Sequence, residues 1–239
     1  MPLMTFDEIK NEQYKVTVNL KNTEINITES ILDRINEGAE GRIVTCKNNI
    51  LKYKSETLLP PKENIDSNKK KLLFILGNPA IHSVEEKMFF FRDKNGNRHK
   101  FWGCLKDSCL LENFKLKTRK EEADKKRDLI LTGNTNHRFV IGFTTFYSLP
   151  TPTGIKGNPY CDSKGVEKLF GLILKCIQEE EFERICNYPF AKDAILITRI
   201  DSAYNYLHKK INNNKVKCWS IRGKGSGWEG LSAILNELK

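Results

Sequence analysis

The 239-residue chain has no apolar run approaching the roughly 20 residues that a membrane-crossing helix needs, so no membrane-spanning segment is expected. Its first residues, MPLMTFDEIKNEQYK, lack the apolar core of a signal peptide; the expectation is an intracellular protein, cytoplasmic or, in a eukaryote, nuclear. The seven cysteines nowhere form a C-x-x-C pair. An odd count without a secretion signal reads as reduced thiols, and the missing pair argues against a zinc ribbon or an iron–sulfur cluster. A glycine-rich phosphate cradle of the usual spacing is also lacking, which counts against a nucleotide-binding α/β enzyme.

Cations are in excess. Forty lysines and arginines against 30 acidic residues give a formal charge of +10, which favours a polyanionic partner through phosphate neutralisation. A lysine- and asparagine-rich, well-solvated surface explains the same number without any partner. The mixed-sign run RKEEADKKR over 119–127 reads as a solvated helix or loop.

Four apolar runs, over 72–76, 139–143, 194–198 and 216–221, have the continuous character of strands buried on both faces. Between the second and third, Val166, Leu169, Phe170, Ile173 and Leu174 predict a helix over 163–176. Shorter helices are predicted over 202–211 and 228–238. Strands alternating with helices imply an α/β domain with a mostly parallel sheet over 67–239, and such sheets bind ligands at the carboxyl ends of their strands. The segments to inspect are thus 77–80, 144–153, 199–204 and 222–228. Residues 1–66 read as a small N-terminal extension packed on that domain, with strands over 14–20 and 43–53 and a helix over 28–36.

At the end of the first buried run stands Gly77-Asn78-Pro79-Ala80. Pro79 fixes its own φ and biases Asn78 away from the helical region. In isolation this is an Asn-Pro turn; after a buried strand it offers an amide side chain and backbone N–H groups to a pocket. Phe89, Phe90 and Phe91 follow, and three consecutive residues of a strand cannot all face one side. One ring is therefore available to stack on a flat ligand. The run 93–97 carries an Asn-Gly turn signal, and KFWGCL begins at Lys100.

This order of strand, GNPA, aromatics and KFWGCL resembles the uracil-DNA glycosylase superfamily, most closely its mismatch-specific uracil/thymine branch. Members of that branch read Gly-x-Asn-Pro, an aromatic and an Arg/His-Phe-Trp-x-x-Leu helix. The resemblance covers residues 71–235 in order of elements and implies a three-layer α/β/α fold with a four-stranded sheet. It places Asn78 on the residue that holds the attacking water and Phe90 near the ring that stacks on an extruded base, with Phe89 or Phe91 as alternatives. Phe101 and Trp102 match a structural pair. The implied activity is that of a monomeric, monofunctional DNA glycosylase, needing no metal or cofactor, which flips uracil or a related deaminated or mismatched base out of single- or double-stranded DNA.

Around Asn78, the resemblance makes Gly77, Pro79, Ala80 and Ile81 the wall of the base pocket, with the N–H groups of Ala80 and Ile81 on the departing base. His82 is a candidate near sugar or phosphate, or an incidental surface residue. Thr144, Thr145 and Tyr147 either read the base edge or form the entry to a turn before Pro150 and Pro152. In the loop 222–228, Arg222 and Lys224 alternate with glycines that let the backbone approach a phosphate. Ser226 and Gly227 resemble the end of a minor-groove loop, and Trp228 takes the position of its wedge or anchors the last helix. The loop departs from the family in having neither a proline nor a His-Pro-Ser element. A non-catalytic, nucleic-acid-binding member of the same fold is the main alternative.

Overall fold

The computed structural model describes residues 2–9, 13–61, 63, 65–92, 96–108, 110–111, 116–135, 138–199, 201–211, 216–218 and 228–238. The chain begins with β1 (Met4–Ile9) and β2 (Gln13–Asn19), followed by α1 (Glu29–Ile35), β3 (Thr45–Lys47) and β4 (Ile50–Glu56). These strands form an antiparallel sheet in the order β1-β2-β4-β3. β2 alternates as a half-buried strand should, with Tyr14, Val16 and Val18 inside and Lys15 outside. The single strand expected over 43–53 is instead a hairpin. Asn48 and Asn49 both take positive φ, 51° and 58°, as a two-residue turn requires and asparagine tolerates. Thr28 caps α1 by accepting the Ile31 N–H, and Leu32 and Ile35 face the core.

The second sheet contains β5 (Lys70–Leu76), β6 (Phe139–Thr145), β7 (Ile195–Thr198) and β8 (Val216–Cys218). Its order is β6-β5-β7-β8, and all three pairings are parallel. Every residue of β6 is buried, which accounts for its unbroken apolar run. Between β5 and β6 lie α2 (Ile81–Glu86), α3 (Lys100–Asp107) and α4 (Arg119–Leu131); between β6 and β7 lie α5 (Asp162–Phe170) and α6 (Leu174–Asn187). α7 (Asp201–Lys210) joins β7 to β8, and α8 (Trp228–Glu237) follows.

Side-chain alternation along β5 divides the core in two. Leu73 and Ile75 join a cluster with Val166, Phe170 and Ile185 of α5 and α6, and with Val16, Leu51 and Tyr53 of the antiparallel sheet. Leu72, Phe74 and Leu76 face a second cluster with Phe101 and Leu105 of α3, Ile130 of α4 and Leu231 and Leu235 of α8. There Phe74 stacks on Phe143 at 5.1 Å while Phe101 meets it edge-on at 5.6 Å.

One helix extends its sequence pattern and another breaks it. The run 119–127 is helical through Leu131, started by a reciprocal capping box between Thr118 and Glu121. The helix expected over 163–176 breaks at Gly171 into a 3₁₀ turn and restarts as α6, which runs on to Asn187. Leu172 is left 78 % exposed at that break.

Because β5 lies between β6 and β7, the chain leaves β5 toward one edge of the sheet and returns on its other side. That makes the carboxyl ends of β5 and β7 the switch point, where an open parallel sheet forms its crevice. Gly77-Asn78 leaves β5 there, and Arg199 leaves β7 beside it.

Candidate functional site

The GNPA turn is pinned to the segment that follows β6. Phe146 N–H donates to Leu76 O at 2.6 Å and Tyr147 N–H to Gly77 O at 2.8 Å. Further on, Thr151 N–H donates to Pro79 O at 3.1 Å and Ile81 N–H to Thr151 O at 3.2 Å, forming a parallel bridge between Ala80 and Thr151. The Ile81 N–H is thereby engaged within the fold.

These contacts orient the Asn78 amide. Its Nδ2 donates to Thr151 Oγ1 at 2.7 Å and to Pro79 O at 3.2 Å, while its Oδ1 accepts from Ser163 Oγ at 3.2 Å. Hydroxyls can serve either role, but a carbonyl only accepts, so Pro79 O decides which end of the amide is the nitrogen. Both Nδ2 hydrogens are then used, and Oδ1 retains one lone pair for a water or ligand donor. Thr151 is buried, whereas Asn78 is half-buried and keeps partial access to solvent.

Ser163 opens α5 together with Asp162, whose backbone is left-handed at φ 56° and whose N–H donates to Pro152 O at 3.2 Å. The Asp162 side chain keeps contact with solvent, yet the protein behind it desolvates the carboxyl and raises its pKa, an effect partly offset by the positive charge of Arg199. Arg199 has its own pKa lowered by burial and raised by Asp162. An amide and two hydroxyls thus meet at the switch point, and the adjoining Asp162 interacts electrostatically with Arg199. Sequence reasoning singled out only Asn78. Thr151 and Arg199 lay within the segments marked for inspection, but neither Ser163 nor Asp162 carries a local signal, since each reads as the start of a helix.

Thr144 and Tyr147 turn toward α6. Thr144 Oγ1 accepts from Arg184 Nη1 at 3.0 Å; Tyr147 OH accepts from Gln178 Nε2 at 2.9 Å and donates to Glu167 at 3.4 Å. Burial, with Glu167 adding to it, holds the Tyr147 phenol well above its ordinary range. Arg184 also donates to Thr145 O at 2.5 Å and to Glu181 at 2.7 Å, and Glu181 accepts from Ser148 N–H at 2.5 Å and from its hydroxyl. Tyr53 of β4 hydrogen-bonds Ser148 at 2.9 Å. This buried network fixes the 144–148 loop and couples it to the antiparallel sheet.

The three phenylalanines diverge, and they lie in turns rather than a strand. Lys87 ends α2 with a positive φ and Phe90 turns the chain again at φ 52°. Phe89 is buried against Phe143 at 5.7 Å. Phe90 is half-buried, its ring 4.3 Å from that of His99 and 4.5 Å from that of Phe101, and its carbonyl accepts from Trp102 Nε1 at 3.2 Å. Phe91 borders a small recess beside Arg98 and Trp102. Phe101 and Trp102 are both buried in α3.

His82, half-buried on α2, lines a cavity of about 270 Å³ with Arg92, Glu37, Ile81, Pro152 and Thr153. Burial and the nearby Arg92 charge lower its pKa, so it is neutral at pH 7. Arg222, Lys224, Ser226 and Gly227 lie outside the described residues; Trp228 is the first residue of α8. Among the described residues no three His, Cys, Asp or Glu side chains gather to hold a metal ion, no cysteines pair as a disulfide, and no helix is long and apolar enough to cross a membrane. Neither known protein families nor curated proteins provide a match to this chain.

Proposed function

We propose that the chain is a monofunctional DNA glycosylase of the uracil-DNA glycosylase kind, with a three-layer α/β/α arrangement around its parallel sheet. It hydrolyses the N-glycosidic bond of uracil, or of a related deaminated or mismatched base, once that base has left the stack. The observation that carries this reading is the oriented Asn78 amide at the switch point, with an unused lone pair on Oδ1. That lone pair accepts one hydrogen of a water whose oxygen faces the sugar. Bond cleavage develops positive charge on the sugar and negative charge on the base, so fixed dipoles suited to those charges lower the barrier. The net charge of +10 supports a DNA partner.

A second reading has one observation in its favour. The Phe90 ring is already stacked on His99 and packed on Phe101, as expected if this turn only completes the core of a nucleic-acid-binding relative. A duplex carrying a single uracil separates the two. The glycosylase reading expects release of free uracil by the wild type, and loss of release with nearly unchanged binding in Asn78→Ala. Salt-sensitive binding without release of any damaged base would support the binding protein instead.

A further inference from the structure

Asn78 can hold a water but cannot take its proton at neutral pH. Resting on the glycosylase reading, we propose that Asp162 is the general base of this site. Ser163 Oγ lies 3.2 Å from Asn78 Oδ1, and consecutive Cα atoms are about 3.8 Å apart, which puts the Asp162 backbone within about 10 Å of the amide. An aspartate side chain and one water are together long enough to span such a gap. Asp162 is also fixed from the other side, since its N–H donates to Pro152 O and the adjoining Thr151 holds Asn78 Nδ2. Its left-handed backbone, rare outside glycine, asparagine and aspartate, sets this residue apart from an ordinary first-turn acid.

Electrostatics agree with that placement. An acid in the first turn of a helix is normally stabilised in its charged form by the helix dipole. For Asp162 desolvation prevails and its pKa is raised, toward the range in which a carboxylate accepts a proton more readily. Among the described residues, the charged or titratable groups that face it are Arg199, from the end of β7, and Cys161, one residue earlier in its own turn. The Arg199 charge opposes the desolvation and favours the ionised carboxylate, which stays open to solvent.

In the step proposed, the water oxygen forms a bond to C1′ of the sugar and the C1′–N bond breaks, its electron pair leaving with the base. The water proton passes to an Asp162 carboxylate oxygen, and the departing base anion is neutralised by solvent. No oxidant, metal or further reactant enters the balance.

Asp162→Asn tests this, because asparagine keeps the size and tolerates the left-handed backbone, so the fold is retained. The measurement is single-turnover release of uracil from a uracil-containing duplex between pH 4.5 and 9, alongside binding of the same duplex. The wild-type rate is expected to rise with pH as Asp162 ionises and then level. Asp162→Asn is expected to release uracil about 10² to 10⁴-fold more slowly with that rise absent, and with binding unchanged. Asp162→Glu is expected to restore part of the rise. A variant with the wild-type rate overturns the proposal, and so does a slower variant with the wild-type pH profile, which would make Asp162 a positioning residue. Absence of release by the wild type itself overturns the glycosylase reading, and this inference with it.

Discussion

At the scale of single residues, the amide of Asn78 is a reader of its own surroundings. Its nitrogen is committed to a carbonyl and a buried hydroxyl, and its oxygen is half committed to Ser163. Thr151→Val keeps the shape of a buried side chain and removes one of those partners. A free Nδ2 hydrogen lets the amide tilt, and misplacement by an ångström near a reacting centre costs on the order of 10²-fold. Thr151→Val is therefore expected to slow uracil release by about 10 to 100-fold with little change in DNA affinity, as single-turnover rates and binding curves would show. An unchanged rate would mean that Pro79 O and Ser163 suffice to hold the amide. Asn78 could be found in the sequence because a strand ending in Gly-Asn-Pro is a local pattern. Its partners could not, because Thr151 and Ser163 stand 73 and 85 residues away and are brought together only by the crossover that places α5 over β5.

At the scale of elements, that crossover depends on how closely α5 seats against the loop before it. A Cβ on Gly165 would lie 2.2 Å from the backbone carbon and oxygen of Tyr160, a contact that no side-chain rotation relieves. Replacing glycine by alanine inside a helix normally stabilises by up to about 1 kcal/mol. Overpacking of this kind costs about 1 to 3 kcal/mol and more when backbone is struck, so the clash prevails. Gly165→Ala is expected to lower the melting temperature and to weaken uracil release by shifting Ser163 from Asn78. Gly103→Ala, on α3, where nothing lies within 4 Å of the added Cβ, is expected to raise the melting temperature. Similar melting behaviour in the two variants would contradict the close seating of α5. The same elements show where a sequence pattern misleads. Apolar residues keep helical spacing through Ile173 and Leu174, which hides the break at Gly171, and Asn48-Asn49 turns a predicted single strand back on itself. The buried parallel strands were legible because burial on both faces demands an unbroken apolar run.

At the scale of the whole molecule, the antiparallel sheet is joined to the parallel one through β6: Leu58 and Phe143 exchange backbone hydrogen bonds at 2.8 Å. Just before this junction Glu56 is only 2 % exposed, and its Oε2 has no hydrogen-bond partner among the described residues. Burial raises its pKa well above the ordinary carboxylate range. The folded state therefore holds this proton more tightly than the unfolded chain, and stability is full below the unfolded pKa and falls as pH rises toward the folded one. A single proton contributes a slope of at most about 1.4 kcal/mol per pH unit. Denaturant titrations are expected to show wild type losing stability from pH 5 to pH 8 relative to Glu56→Gln; parallel profiles would mean that Glu56 is paired or solvated. Composition gave no hint of this group, because a glutamate at the end of a strand reads as a surface residue until the second sheet covers it.

The parts converge at the carboxyl end of the parallel sheet, where Asn78 follows β5, the loop after β6 brings Thr151, α5 brings Asp162 and Ser163, and Arg199 follows β7. The most direct test is to incubate purified wild type and Asn78→Ala with a duplex containing one uracil and to measure free uracil together with bound DNA. Release by the wild type, none by the variant and similar binding by both are expected; release by Asn78→Ala at the wild-type rate would exclude Asn78 as the residue that holds the water.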